Sequence, residues 1–129
     1  MVIIICHCPC LKKKSHPLTV QFQLTLGIHD WPRFFQQCWD SLEPGGWLET
    51  NETQFPPGRA DGEEAKPSAF LKWGEHVYES AALAGIDGRA SEKFTQQLEA
   101  IGFVNVEQVD VQWPVKPLAK GSKKKLMFI

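Results

Sequence analysis

The chain has 129 residues, with 14 Lys plus Arg set against 15 Asp plus Glu. That length supports one compact domain, and a net charge of −1 argues against a nucleic-acid binder driven by a basic face. The longest apolar run, residues 2–6, is far short of the ~20 residues that cross a bilayer. It is also shorter than the ~7–15-residue apolar core of a secretory signal. The chain therefore reads as intracellular, cytoplasmic or nuclear, with its four cysteines as free thiols. Five Trp and eight Phe demand a core or a partner surface to cover them.

Residues 1–17 hold an Ile run, a Cys-His cluster, three lysines and two prolines. They predict irregular backbone, or one short strand at most. Residues 20–26 (VQFQLTL) alternate apolar and polar side chains, a strand signal. Asp30 then offers a helix N-cap, and Pro32 sits in the first turn, where a missing N–H costs nothing. Trp31, Phe34, Phe35, Cys38 and Leu42 fall on one face of the helix that follows. Pro44-Gly45-Gly46 stops it, and residues 47–53 read as the next strand. The acidic, proline-bearing stretch 55–66 is a loop. A second helix opens at Pro67 or Ser68, with Phe70, Gly74, Val77 and Ala81 on one face and Gly85 as its stop. Ser91 is placed to cap a third, with Phe94, Leu98 and Ile101 inward and Gly102 just past its end. The last strand spans 103–113. The valines at 104 and 106 have the opposite parity to Val109 and Val111, so a bulge near Glu107-Gln108 is expected. The tail 116–129 is basic and then apolar. This order predicts an α/β fold with parallel pairing in its first part.

The segment GIHDWPRFFQQCWDSLEPGGWLETNE (27–52) resembles class I S-adenosylmethionine-dependent methyltransferases, most closely the fungal LaeA-like group. The resemblance rests on Asp30-Trp31-Pro32 at a helix start and on Leu42-Glu43-Pro44-Gly45-Gly46-Trp47-Leu48-Glu49, with Glu52 beyond. It continues through LKWGEHVYESAALAGID (71–87), LEAIGFVNVEQ (98–108) and WPVKPLAKGSKKK (113–125). It implies a partial class I methyltransferase sheet, Rossmann-like and flanked by helices, with S-adenosylmethionine as methyl donor. The family's cofactor sits at the carboxyl ends of the first strands, where a Gly-rich turn approaches it and an acid binds the ribose. No G-x-G run precedes Gly27, and residues 1–23 are too short for three strands and crossovers at roughly 30 residues per βαβ unit. The chain also stops before the family's last helix and final strand. It divides into an atypical segment, 1–23, and the C-terminal part of a methyltransferase domain, 24–129. The resemblance thus implies a domain truncated at its cofactor-binding half. The isolated chain is expected to bind S-adenosylmethionine weakly or not at all and to be inactive. The rival reading is a non-catalytic protein-interaction fragment derived from a methyltransferase.

Methyl transfer from a sulfonium needs positioning and desolvation more than side-chain chemistry, so no catalytic triad is expected. By the resemblance, Leu26, Gly27, Ile28 and His29 border the cofactor cleft; His29 lines it or assists a proton transfer, or is simply a polar residue before an N-cap. Glu49 and Glu52 lie toward the carboxyl end of a strand, where α/β sheets place their chemistry, and are candidates to bind or orient a small-molecule or protein substrate. Three apart in a regular strand, they face opposite sides, so at most one enters a site; solvation or pairing with a helix is the alternative. Cys6, His7, Cys8, Cys10 and His16 alternate too closely for ordinary zinc spacing, and no metal is expected. The lysine clusters at 12–14 and 123–125 read as solvated tails. Trp31, Trp39 and Trp47 read as core. A sheet missing its neighbouring strands would leave an open apolar edge and a tendency to self-associate, unless residues 2–6 or 20–26 pair it.

Overall fold

The computed structural model describes residues 1–9, 16–57 and 69–112. Four strands form one sheet: β1 (Val2–His7), β2 (His16–Phe22), β3 (Leu42–Glu52) and β4 (Val104–Asp110), in the order β2-β3-β1-β4. Three helices accompany it: α1 (Trp31–Ser41), α2 (Ala69–Leu83) and α3 (Phe94–Ile101), the last preceded by a 3-10 turn at Ala90–Lys93. The fold is α/β, as the sequence predicts, and β2 and β3 pair in parallel. The remaining pairings differ from expectation. β1 is a regular strand, antiparallel to β3 on one side and to β4 on the other. Residues 1–17, expected to be irregular or to hold one short strand at most, therefore supply one strand, and it is interior to the sheet. Three consecutive isoleucines on β1 are the physical reason, because β-branched residues suit a pleated surface with strands on both sides.

α1 forms where the spacing predicts it. The Asp30 carboxylate accepts from the Arg33 N–H at 2.9 Å, Pro32 occupies the first turn, and Trp31, Phe35 and Cys38 are buried along one face. The β2 strand, however, ends at Phe22, and residues 24–27 turn, with the Gly27 N–H bonded to the Leu24 carbonyl. The expected strand at 20–26 is thus displaced toward the N-terminus. β3 starts directly at the end of α1, so Pro44-Gly45-Gly46 lies within the strand's span. There Cys8 and the glycines exchange backbone bonds, Cys8 N–H to Gly46 O and Gly45 N–H to Cys8 O. Ser91 does not cap α3. It is buried inside the 3-10 turn, and the residue before α3, Lys93, makes no side-chain cap. The opposite end behaves as predicted: Gly102 takes φ +118°, and the Phe103 N–H closes onto the Leu98 carbonyl. The irregularity in β4 falls between the partners of Ile5 and His7, with Asn105 at φ +53°, two residues earlier than the expected bulge. Residues 113–129, the lysine clusters and Pro67-Ser68 lie outside the described residues.

The register sorts side chains onto two faces. Val2, Ile4 and Cys6 stand opposite Glu52, Thr50 and Leu48 and point into a core completed by Trp31, Phe35 and Cys38 of α1 and by Phe94 and Leu98 of α3 with Phe103. Phe94 packs against Trp31 and Phe35 at ring-centroid distances of 4.4 and 4.9 Å. Ile5, Val20, Trp47 and Val109 occupy the other face and are exposed, as is Leu18 at the outer strand. Trp31 is core as expected and Trp39 is partly buried against Phe103. Trp47 is not core: it stands 44% exposed, edge-on to His7 at 5.1 Å. Both β2 and β4 are sheet edges. Among the described residues, no helix is long and apolar enough to cross a membrane.

Candidate functional site: the loop at the carboxyl ends of β2 and β3

Glu52 ends β3 and is fully buried, facing the core side of the sheet. Its carboxylate accepts from the Leu24 N–H at 2.8 Å and the Thr25 N–H at 2.9 Å, from the Thr25 hydroxyl and from the Gln21 side-chain amide. A buried carboxylate survives only when such donors replace its water shell. These four donors do so, and they tie the chain leaving β2 to the end of β3. A further backbone bond, Gln23 N–H to Asn51 O at 2.7 Å, completes the attachment. The loop that reaches Leu26, Gly27, Ile28 and His29 is therefore held at the carboxyl ends of two parallel strands, where α/β sheets place their ligand sites.

Those four residues diverge beyond the clasp. Leu26 is part-exposed and borders a cleft, Gly27 sits in the turn, Ile28 packs on the core, and His29 is solvent-exposed ahead of the Asp30 cap. Glu49 lies on the sheet face opposite Glu52, half-buried, where it accepts from the Asn51 amide at 2.8 Å. The two acids do face opposite sides, and no single site collects them. The cysteine cluster is likewise divided by the strand: Cys6 and Cys8 enter the core and His7 points away, with Cys10 outside the described residues. Burial, and secondarily the neighbouring Cys38 and Cys8 thiols, push the Cys6 thiol up to about 12. Burial pushes Cys38 to about 11. Neither is a nucleophile at neutral pH.

The sequence reading placed Val77 and Ala81 on the inner face of α2 but did not single out Trp73, His76, Ser80 and Ile86 beside them. α2 faces Leu26 across a cleft of about 390 Å³, presenting Trp73, His76, Val77 and Ser80, with Ile86 at its far end. Ala81 is buried at its base. The positions 73, 76, 77, 80 and 81 follow helical spacing, which is the signal that identifies this face. α2 is held in place by the chain after β3. A Cβ on Gly74 would overlap the Pro57 ring, and Phe55 meets Trp73 edge-on at 6.3 Å. The cleft is thus bounded by the two segments that leave the carboxyl ends of β2 and β3.

No family model matches the chain, and no solved structure matches it. It is similar to the probable methyltransferase tdiE of Emericella nidulans, 32% identical over 98 residues, which take in 76% of this chain and 31% of that protein. It is similar to the methyltransferase pytC of Aspergillus terreus, 58% identical over 44 residues, 34% of this chain and 13% of that protein. The chain thus spans less than a third of the length of these curated relatives. Fungal proteins named methyltransferases are its relatives, and its open α/β sheet with flanking helices is consistent with part of a Rossmann-like methyltransferase domain.

Proposed function

We propose that the chain is the acceptor-side portion of an S-adenosylmethionine-dependent methyltransferase domain of the LaeA-like group, and that by itself it does not hold the cofactor. The 98-residue similarity to a probable methyltransferase carries this reading. The clasped loop at the strand ends supports it, because it is built where such a sheet presents a ligand cleft. Among the described residues, the two strand-end acids do not fit the methyl donor. Ribose recognition needs a free carboxylate at a strand end, whereas the Glu52 carboxylate is buried and occupied by four donors and Glu49 lies on the opposite face, bonded by the Asn51 amide. Calorimetric titration of S-adenosylmethionine into the chain is expected to show no saturable heat. A micromolar dissociation constant, about 8 kcal/mol, would overturn the second half of the proposal. The first half is tested by a chimera in which this chain's matching segment replaces that of the tdiE protein. Cofactor binding by the chimera is expected, and a folded chimera that binds none defeats the reading.

A second reading, a non-catalytic protein-interaction fragment, is favoured by one observation. Ile5, Val20, Trp47 and Val109 are exposed on one sheet face, interspersed with Glu49 and Glu107, and large apolar side chains grouped on an exposed face mark interaction surfaces. A folded chimera without cofactor affinity is the outcome that favours it.

A further inference from the structure

We propose that the cleft between α2 and the loop carrying Leu26 binds the methyl acceptor, and that the acceptor is a neutral, planar aromatic small molecule with a polar substituent at one edge. This rests on the methyltransferase reading and adds the substrate class to it. The volume, about 390 Å³, lies in the range of small-molecule sites, roughly 300–1,000 Å³. The walls are one indole and three aliphatic side chains, Trp73 against Leu26, Val77 and Ile86. Among the described residues, no carboxylate, ammonium or guanidinium lines the cleft, so a charged ligand would lose hydration against them with no opposite charge to replace it.

Planarity follows from the platform. Trp73 is 52% exposed although it stacks on Phe70, centroids 5.7 Å apart and planes 27° from parallel. Phe70 stacks on the indole and Phe55 meets it edge-on, while much of its surface stays open, which suits offset stacking of a further flat ring. The polar edge of the ligand is set by His76 and Ser80, one turn apart on the cleft side of α2. A hydroxyl and an imidazole offer both donors and acceptors. The His76 Nδ1 lies 3.6 Å from a Glu79 carboxylate oxygen, and both side chains are well exposed. The imidazole is therefore at the rim, where a substituent of the ligand meets solvent. The Leu26 wall is fixed by the Glu52 clasp two residues away, and the α2 wall by its contact with Pro57 at Gly74.

The test uses the chain with no methyl donor present, so it can fail or succeed independently of the cofactor reading. 2-Naphthol is the probe, titrated against the chain by calorimetry and by amide chemical shifts. Saturable binding at a single site is expected, with shifts centred on residues 24–28 and 73–86. Trp73→Ala and Ser80→Trp alter exposed positions, and circular dichroism confirms that each remains folded. Each is expected to weaken binding by about tenfold or more. Val20→Lys on the exposed sheet face is expected to leave affinity within about twofold, and the anion 2-naphthalenesulfonate to bind about tenfold more weakly than 2-naphthol. The proposal is overturned by an absence of saturable binding, by binding lost in Val20→Lys but kept in Trp73→Ala and Ser80→Trp, or by equal affinity for the anion.

Discussion

Glu52 shows how a single side chain converts strand pairing into loop geometry. Replacing it with Ala leaves the Leu24 and Thr25 N–H groups and the Gln21 amide without their acceptor, and the Thr25 hydroxyl with only the Thr53 carbonyl at 3.3 Å. An unpaired buried polar group costs about 1–3 kcal/mol, and water entering the gap relieves part of the total. Glu52→Ala is expected to lose about 3 kcal/mol in urea unfolding, with exchange protection falling at Leu24 and Thr25 before it falls in β1. Unchanged protection at those two amides would contradict the clasp. The buried thiols make a second prediction. Their ordinary value is 9.0, and in the fold Cys6 rises to about 12 and Cys38 to about 11, chiefly through burial. A raised value means that the folded state holds its protons longer than the unfolded one. Their contribution to stability is thus fully present below pH 9 and is lost as pH rises from there through about 11 for Cys38 and about 12 for Cys6. Thermal unfolding measured from pH 8 to 11 is expected to show a falling Tm at the alkaline end. Native alkylation at pH 8 is expected to spare both cysteines, and rapid labelling of either would show that the core opens.

Helix ends and strand positions carry the next level of argument. The α1 cap and the α3 stop were legible because each depends on a few residues close in sequence: Asp30 with Pro32, and Gly102 after an apolar face. At Gly102, φ is +118°, and a Cβ would meet the Trp39 ring at 3.2 Å. Gly102→Ala is therefore expected to cost about 2 kcal/mol, from the backbone conformation and the contact together. Asp30→Ala is expected to cost about 1 kcal/mol, and chemical denaturation measures both. The place of β1 was not legible. Its isoleucines mark it as a strand, yet nothing nearby in sequence says that its partners are residues 47–52 and 104–110. The apolar face of α2 was only partly legible, for a similar reason. Gly74 and Ala81 were placed correctly as its buried residues. Trp73, His76 and Ser80 follow the same helical period, but only the position of Leu26, set by Glu52 at a distance, turns them into the wall of a cleft. Glu52 itself was identified as an acid at a strand end. That it faces inward follows from the register, and the register comes from tertiary pairing.

For the whole molecule, the uneven coverage of the sheet is decisive. One face packs under α1 and α3, whereas the other exposes Ile5, Val20, Trp47 and Val109, and among the described residues β2 is an edge strand with Leu18 exposed. β1 and β2 pair both sides of β3, so the open edge expected there is filled; the exposed face and the outer side of β2 remain the basis for expecting self-association. Light scattering after size-exclusion chromatography should show species larger than a monomer, and Leu18→Lys with Val20→Lys should shift the population toward monomer. A monodisperse wild-type monomer at high concentration would remove this expectation.

The interior position of β1 also has a consequence in time. During synthesis β1 is made before both of its neighbours: β3 ends at Glu52 and β4 only at Asp110. Val2 must wait for Asp110 before its second row of hydrogen bonds can close. Until then the Ile-rich ribbon has one side unpaired, with a loop of more than a hundred residues still to be closed around it. Pairings so distant along the chain fold slowly, on a scale of milliseconds to seconds. The nascent chain therefore passes through a stage in which its most β-prone segment is also its least protected.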